Sequence, residues 1–321
     1  MKDNVIYYSV GALLYCPANK STIASAVING KFGNMYSLAL CLEDTINDNF
    51  VMEAEHILTG SVMQIYREYQ QKSFYLPKIF IRVRNPEQVI RLTKSFGDAI
   101  KLITGFIIPK FNPLNARQYI NAVIKANEIS AQKKYIMPIY EHSSIINLKN
   151  RAEILYSLKD TLSNIEELVL NIRVGGNDLC HMFGFRRHAD ESIHSIKPIA
   201  DIFSDIITVY GTDYVISGPV WEYYNGNNWK NGLTSEIKED KLCGFIGKTV
   251  IHPCQVPVLN QLYQVTEPDF SDAVDILNWN QSSSQYVSGN IARERMNEYK
   301  THYNWAKQTL FLAEVFGVKN N

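Results

Sequence analysis

The sequence predicts a (β/α)8 barrel, a closed ring of eight parallel strands surrounded by helices, followed by a C-terminal helical cap. Three observations support this α/β fold class. Eight short apolar runs alternate with longer segments whose apolar residues have helical spacing. Several of the runs are apolar throughout, as in parallel strands covered on both faces. The units occupy about 260 residues, with connections long enough for right-handed crossovers. A doubly wound open sheet is the alternative arrangement.

Each predicted strand is a short apolar run between polar or turn residues. In chain order the strands are residues 8–16, 36–42, 78–83, 103–109, 135–140, 168–172, 214–218 and 249–252. Helical spacing predicts helices at residues 50–71, 86–96, 115–131, 145–158, 193–206 and 255–265. Together these elements predict a barrel domain over residues 1–265.

The remaining segment, residues 266–321, is too short for a separate domain and is predicted to be a cap. It contains a helical pattern near residues 270–279 and then a polar break, QSSSQYVSGN. A second, longer helical pattern runs from Ala292 to Phe316.

Charge and composition exclude several classes of function. Lys plus Arg and Asp plus Glu both number 32, so no net field attracts nucleic acid or an anionic membrane. No apolar run approaches the roughly 18 to 20 residues of a membrane span. The five cysteines are odd in number, form no CxxC pair and mostly lie in or beside apolar runs. These features predict a reduced, cytoplasmic protein without a nucleic-acid or membrane partner.

Polar and charged residues follow the predicted strands at their C-terminal ends, where barrel enzymes place their chemistry. In strand order they include Lys20, Glu43 and Asp44, Arg82 and Arg84, Lys110, Glu141, Asp178, Glu222 and His252. If the barrel is correct, these side chains converge on one mouth. The agreement among the strand ends favours a functional site there.

Each of these residues also has a structural explanation. Asp44 would cap the next helix, and Glu43 would pair with a neighbouring arginine inside the barrel. Lys110 would extend its ammonium to solvent along an apolar surface, and His252, beside a proline, would be a turn residue. The GGNDL segment is compatible with an ordinary turn, because Gly, Asn and Asp are common turn residues.

Six motifs resemble the HpcH/HpaI aldolase and citrate lyase beta subunit superfamily. They are LALCLEDTI, IRVRNP, IIPKF, the pair Tyr140-Glu141, GGNDL and GKTVIHPCQVPVLN, in the order of the superfamily motifs. Three further segments are similar to the C–C bond lyase-like TIM-barrel branch of bacterial tellurium-resistance and stress gene clusters. They are FGFRR, DYVISGPVWEYY and RERMNEYKTHYNWAKQTL. The resemblance therefore covers nearly the whole chain.

The resemblance implies a divalent metal ion, Mg²⁺ with Mn²⁺ as the alternative, held by Glu141 and Asp178. Mg²⁺ takes hard oxygen ligands and commonly uses only one or two protein carboxylates. Arg82 matches the superfamily arginine and would bind an anionic substrate oxygen. Glu43 and Asp44 match the acid pair that orders the metal waters and this arginine.

The sequence departs from the superfamily pattern at three places. Arg84 replaces an asparagine, PADR becomes PANK with Lys20 at its end, and Glu298 stands where an aspartate would supply an acid. A larger and more anionic substrate is therefore expected, and use of a coenzyme A thioester stays open. The predicted substrate-binding set is Lys20, Arg84, Lys110, Arg186, Arg187 and His252. The structural alternative for Arg186 and Arg187 is that they lie at the solvated start of a helix.

The resemblance implies a Mg²⁺-dependent carbon–carbon bond lyase, or the reverse aldol- or Claisen-type condensing enzyme, acting on a small anionic oxo- or hydroxy-acid. The general base is left open among a metal-bound water, His252, Glu43 and Glu298. The superfamily also implies a homotrimer or hexamer in which the C-terminal segment covers a neighbour's site. Two alternatives remain: a non-catalytic barrel binding a metabolite or partner in a stress-response complex, and a metal-dependent thioester or phosphoester hydrolase.

Overall fold

The computed structural model describes residues 2–319, and its central element is a ring of eight parallel strands. The strands are β1 (Ala12–Pro17), β2 (Ser37–Cys41), β3 (Lys78–Arg82), β4 (Ile103–Ile108), β5 (Tyr135–Tyr140), β6 (Ile172–Val174), β7 (Ile216–Ser217) and β8 (Lys248–Val250). Neighbours in the chain are neighbours in the sheet, and β8 lies beside β1. The ring closes where Gly218, just after β7, pairs with Lys248 of β8. This closure confirms the (β/α)8 barrel and rules out the open sheet.

Helices connect the strands and cover the outside of the ring. They are α1 (Ile23–Ile28), α2 (Val51–Tyr69), α3 (Pro86–Ser95), α4 (Ala116–Ser130), α5 (Arg151–Ser163), α6 (Gly176–Phe183), α7 (Lys197–Tyr210), α8 (Trp229–Cys243) and α9 (Gln255–Tyr263). The helices α1, α6 and α8 were not predicted. The buried positions of α8 include the acids Glu236 and Asp240, which hide its inward face from an apolar pattern.

Two apolar layers hold the barrel together. The larger layer lies between the strands and the helices. The smaller one fills the inside of the ring, with Val10, Leu13, Ala39, Phe80, Ile107, Met137, Ile139 and Leu170 as its buried members. Side chains alternate between the inside and the outside of the ring along each strand. The inward-facing residues at the C-terminal ends of the strands follow the inner layer along the chain and therefore lie above it. The inner layer therefore forms the floor of the barrel mouth.

The segment after the barrel forms two helices and two small pairs of strands. The helices α10 (Glu267–Leu277) and α11 (Tyr299–Phe316) pack on each other. The strands β9 (Val265–Thr266) and β12 (Val318–Lys319) pair in parallel, and β10 (Val287–Gly289) and β11 (Met296–Glu298) form a hairpin. The division into a barrel domain and a cap stays a prediction.

The predicted long helix from Ala292 was wrong for its first seven residues, because β11 occupies part of that stretch. The Asn290 side chain accepts a hydrogen bond from Glu294 N at 2.9 Å, and the Arg295 guanidinium reaches Asp272 Oδ2 at 2.5 Å. These contacts bind the segment to its own turn and to α10. A local helical pattern is thus overridden by tertiary contacts.

The C-terminal helix lies against the base of the barrel, at the N-terminal ends of the strands. Phe316 stacks on Tyr263 with ring centroids 5.1 Å apart, and its ring lies beside Gly11, just before β1. Phe311 stacks on Tyr8 at 5.0 Å. Within its own chain, the end of the cap is therefore opposite the barrel mouth. Among residues 2–319, no helix is both long and apolar enough to cross a membrane.

Candidate active site

Five charged side chains form one ion-paired group at the C-terminal ends of the strands. This mouth cluster consists of Arg82, Glu43, Asp44, Lys110 and Glu141. The Arg82 Nη2 atom lies 2.6 Å from Glu43 Oε2, 2.9 Å from Asp44 Oδ2 and 3.2 Å from Glu141 Oε1. Lys110 Nζ lies 2.5 Å from Glu43 Oε1 and 2.9 Å from Asp44 Oδ1. The two acids that end the second strand therefore share two cations.

For three members of the mouth cluster, the ion pairs affect the pKa more strongly than burial does. Burial alone would lower the pKa of Arg82, but the charges of Glu141 and Glu43 raise it above its ordinary value. Burial likewise opposes the Lys110 ammonium, while hydrogen bonds to Glu43 and Asp44 raise its pKa. The pKa of Asp44 is lowered despite burial, through hydrogen bonds with Glu43 and Lys110 and the charge of Arg82. Asp44 is therefore held as a carboxylate.

Glu141 differs from the other acids because it is almost completely buried, with 2% of its surface exposed. Burial, with a contribution from the negative charge of Asp178, raises its pKa to about 8. Its Oε1 atom accepts hydrogen bonds from the Lys110 backbone N at 3.0 Å and from Arg82 at 3.2 Å. Its Oε2 atom occupies the space that a Cβ at Gly175 would need. The first glycine of GGNDL is thus required by the position of this carboxylate.

The sixth strand leads directly into a helix that carries Asp178. Gly176 begins α6, and Asp178 lies in the first turn of that helix. A Cβ at Gly176 would overlap Ile193 and Pro219, so the second glycine allows a close approach of the helix. The GGNDL segment is therefore a strand-to-helix junction and not an isolated turn.

A cavity of about 260 Å³ lies above the inner apolar layer of the barrel, and both predicted metal ligands line it. Its other polar lining residues are Tyr15, Thr45, Arg82, Arg173, Asn177 and Thr249. The influence of Asp178 on the pKa of Glu141 also indicates that the two carboxylates are close. The structure thus brings Glu141, Asp178 and Arg82 to one cavity.

The donor set at this cavity fits Mg²⁺. No group of three or more His, Cys, Asp or Glu side chains suited to a metal occurs in the described part of the chain. Two carboxylates are nevertheless a common protein contribution to a Mg²⁺ site, where waters and substrate supply the other ligands. When all are ionised, the four acids Glu43, Asp44, Glu141 and Asp178 exceed the cations Arg82, Lys110 and Arg173 by one negative charge. A divalent cation at Glu141 and Asp178 would turn this into an excess of one positive charge, which an anionic substrate would balance.

Three of the predicted substrate-binding residues do not line the cavity. Arg84 donates to the backbone carbonyls of Leu42, at 2.6 Å, and Ile46, so it holds the loop after β2. His252 is exposed, stacks on Tyr224 with ring centroids 4.8 Å apart, and does not line the cavity. Lys20 is exposed at the end of the loop that follows β1. Their roles in substrate binding stay predictions.

The two adjacent arginines have different environments. Arg187 is buried and lies 3.2 Å from Glu236, and its guanidinium stacks over Trp221 at 5.1 Å. Arg186 has a side chain 79% exposed and lies 3.7 Å from Glu222; both arginines line a depression that adjoins the cavity through Asn177, and neither lines the cavity itself. The structure therefore does not bring this pair together with Arg82.

Glu298, the predicted catalytic acid of the tail, lies at the end of β11 and does not line the cavity of its own chain. Its backbone N donates to His302 Nδ1 at 3.0 Å. Arg295, in the same segment, is paired with Asp269 and Asp272 of α10. These contacts place the tail motif with α10 and α11, away from the mouth cluster.

Sequence reasoning missed Arg173, Tyr15 and Thr249, which line the cavity from β6, β1 and β8. The predicted sixth strand ended at residue 172, so Arg173 was counted outside it. The observed strand extends to Val174 and turns Arg173 into the barrel. The signal available was a lone arginine within LVLNIRVGG, an apolar run that leads to a site loop.

The closed barrel and the cavity with charged side chains at its mouth define a class: a (β/α)8 barrel with its candidate site at the C-terminal ends of the strands. The chain belongs to the family described as C–C bond lyase of the TIM-barrel fold, whose model matches residues 4–318. Its family is thus one of carbon–carbon bond lyases. No curated protein sequence matches the chain.

Solved structures with the same fold include proteins from two bacteria. The protein CitE from Mycobacterium tuberculosis, in complex with magnesium, acetoacetate and coenzyme A, is 16% identical, with a TM-score of 0.60 over 96% of this chain and 99% of that chain. The citrate lyase beta subunit from M. tuberculosis, complexed with oxaloacetate and magnesium, is 17% identical, with a TM-score of 0.53 over 81% of this chain and 99% of that one. RipC from Yersinia pestis is 14% identical, with a TM-score of 0.55 over 81% and 98% of the two chains.

Proposed function

We propose that the protein is a Mg²⁺-dependent carbon–carbon bond lyase, or catalyses the reverse condensation, and that it acts on a small 2-oxo or 2-hydroxy carboxylate. The observation that carries this proposal is the shared cavity of Glu141, Asp178 and Arg82. The two carboxylates would hold the ion. Bound Mg²⁺ supplies Lewis-acid polarisation of a substrate carbonyl or hydroxyl oxygen. The magnesium in the M. tuberculosis CitE complex supports this proposal by likeness of fold.

The side chains of the mouth cluster have distinct parts in this proposal. Arg82 stays protonated and lines the cavity, so its guanidinium would bind an anionic substrate oxygen and stabilise charge that develops there. Its Nε atom is buried and has no hydrogen-bond partner among the described residues, so a donor remains available to a ligand. Glu43 and Asp44 hold the guanidinium in place from the solvent side. Arg82 would act on the substrate, whereas these two acids would act by positioning it.

Metal binding is the first test of this assignment. Because Asp178 is a proposed ligand, Asp178→Asn should weaken Mg²⁺ binding by at least about tenfold, measured by isothermal titration calorimetry. Asp190→Asn makes the same chemical change at an exposed position and should leave the affinity unchanged. Equal affinities in all three proteins would remove Glu141 and Asp178 as the metal site.

The chemistry can be tested without knowing the natural substrate. A lyase that leaves the electron pair of the broken bond as an enolate should also remove and return protons at the carbon next to a carbonyl group. We expect the wild-type protein with Mg²⁺ to exchange the methyl protons of pyruvate for deuterium in D₂O, followed by proton NMR. Asp178→Asn and Arg82→Met should slow this exchange by about 100-fold or more. Intact Mg²⁺ binding without exchange of pyruvate or acetoacetate would count against an enolising enzyme.

We further propose a homo-oligomer, a trimer or hexamer, in which the tail motif around Glu298 completes a neighbour's mouth. The position of α11 at the base of its own barrel supports a role in trans, because Glu298 does not line its own cavity. Mixing Glu298→Ala and Asp178→Asn proteins should restore part of the exchange activity, since some mouths would then combine intact residues from two chains. Mixed oligomers verified by mass spectrometry that stay inactive would exclude this arrangement.

A further inference from the structure

Arg173 is a buried cation inside the barrel, below the proposed metal site. It is the middle residue of β6, has 1% of its surface exposed, and lines the cavity of Glu141 and Asp178. In the register of β5 and β6, Arg173 is level with Ile139. Glu141 is two residues further along, which corresponds to about 6 to 7 Å of strand. Arg173 therefore stands at the floor of the cavity, and Glu141 near its rim.

The guanidinium of Arg173 has only neutral partners among residues 2–319. Its Nη2 atom donates to Thr249 Oγ1 at 2.6 Å, and its Nη1 atom donates to Asn171 Oδ1 at 3.3 Å. Tyr15 lies beside it, and burial raises the pKa of that phenol to about 12, so Tyr15 is uncharged near neutral pH. No carboxylate lies within ion-pair distance of Arg173 in the described structure, whereas Arg82 is surrounded by three acids.

An unpaired buried charge is costly, and arginine does not escape the cost by losing its proton. Other buried cations of this barrel are compensated. Lys248 contacts Glu236 and Asp240, and the buried Arg151 lies 2.8 Å from Asp205. Arg173 has the hydroxyl of Thr249 and an open cavity in front of it. This arrangement resembles a preorganised site for an anion that arrives with the ligand.

We propose that Arg173, with the hydroxyl groups of Thr249 and Tyr15, binds a second carboxylate of the substrate at the floor of the cavity. This inference rests on the proposed function and specifies its substrate class as a small dicarboxylate. One carboxylate and its neighbouring oxygen would face Glu141, Asp178 and Arg82, and the other would point down into the barrel.

The charge of the site favours a carboxylate over a phosphate group. A carboxylate carries one negative charge, which the single positive charge of Arg173 balances, and its two oxygens match the guanidinium fork. A phosphate monoester carries nearly two negative charges and would leave one of them buried without compensation. Thr249 and Tyr15 are hydrogen-bond donors but bring no further charge.

The test compares malate with lactate, which share the 2-hydroxy carboxylate and differ by the second carboxylate. With saturating Mg²⁺, calorimetry on the wild-type protein should show malate binding about 10- to 100-fold more tightly than lactate. Arg173→Met should abolish this preference and leave the affinities for lactate and Mg²⁺ unchanged. Arg173→Lys keeps the charge without the fork and should retain part of the preference.

Arg117→Met is the matched control, because it removes an exposed arginine at the start of α4, and its preference should equal that of the wild type. A malate preference that survives in Arg173→Met, or inorganic phosphate that displaces malate at lower concentration than malonate does, would overturn the inference.

A titration of malate in EDTA separates this inference from the proposed metal site. Arg173-dependent malate binding without Mg²⁺ binding would contradict the metal site alone, and normal Mg²⁺ and lactate binding without any effect of Arg173 would contradict this inference alone.

Discussion

Two groups of paired charges in this barrel serve contrasting purposes. The mouth cluster lies at the cavity, which its Arg82 and Glu141 line, and together with Asp178 and Arg173 it has, when ionised, one more negative than positive charge. The second group, which we call the outer cluster, lies between β8 and α8 and consists of Arg187, Lys248, Glu236 and Asp240, with His194 hydrogen-bonded to Asp240. Its two cations and two acids balance.

The contrast shows that burial of a charge does not by itself identify a functional site. The Lys248, Glu236 and Asp240 side chains are 0% exposed and pair with each other at 2.7 and 2.8 Å. Such a closed group needs no ligand, and removal of one partner leaves a buried charge uncompensated. The mouth cluster has an excess of one sign beside a cavity, so a ligand of the opposite sign completes it. Charge imbalance at a cavity is therefore the better indicator of a site than burial of charge itself.

The largest expected effect is the loss of one acid from the outer cluster. Asp240 accepts from Lys248 Nζ at 2.7 Å and contacts His194 Nε2 at 2.7 Å. Asp240→Asn should lower the free energy of unfolding by about 3 kcal/mol, because it leaves the Lys248 charge partly uncompensated. Urea denaturation measures this change. In the control Asp213→Asn, a half-exposed pair with Lys159 is broken, and the loss should stay under about 1 kcal/mol. Equal losses in the two variants would mean that the buried outer cluster stabilises the protein no more than a half-exposed ion pair does.

An intermediate effect is expected on the pH dependence of Mg²⁺ binding. Glu141 has its pKa raised to about 8, so below that pH the metal must displace a proton from it. The affinity should therefore fall by up to about tenfold for each pH unit below 8 and level off above it. Calorimetry from pH 6 to pH 9 would show this slope, and Glu141→Gln should flatten it. A flat profile in the wild-type protein would mean that Glu141 binds no metal.

The smallest expected effect concerns stability at the mouth. In the metal-free protein at pH 9, where Glu141 is ionised, the negative charge of Asp178 acts against that of Glu141. Asp178→Asn should therefore raise the free energy of unfolding slightly, by about 0.5 kcal/mol, since solvent screens this partly exposed side chain. Aspartate is replaced by asparagine at both Asp178 and Asp240, but the expected changes in the free energy of unfolding have opposite signs. Thermal denaturation in EDTA compares the two variants directly, and a loss above about 2 kcal/mol at Asp178 would make it a structural residue.

The barrel was predictable because its central strands are continuous apolar runs. Residues 135–140 were predicted as a strand and form β5 without any change of boundary. Where the pattern is short or polar, prediction failed. The run 168–172 was placed too early, and α8 was missed because two of its buried positions are acids. Some of the partners are far away in the sequence, since Arg187 is 49 positions from Glu236 and Thr249 is 76 positions from Arg173, so no local pattern reveals them.

The candidate site was predictable in part. A strand that ends in a charged residue identifies which side chains reach the mouth, and this rule selected Glu43, Arg82 and Glu141. It could not separate residues that face the cavity from residues that bind a loop, as Arg84 does through backbone carbonyls. It also passed over Arg173, because an inward-facing arginine within a strand has no local signature.

Local patterns of apolar and charged residues were sufficient to predict the number and order of the strands and the charged character of the strand ends. The folded structure determines which charges compensate each other, since ion pairs such as those of Arg82 with Asp44 and Glu141 join residues 38 and 59 positions apart. It also decided that Arg173 faces the cavity without an acid, because the orientation of a side chain in a closed ring depends on the register of its neighbouring strands.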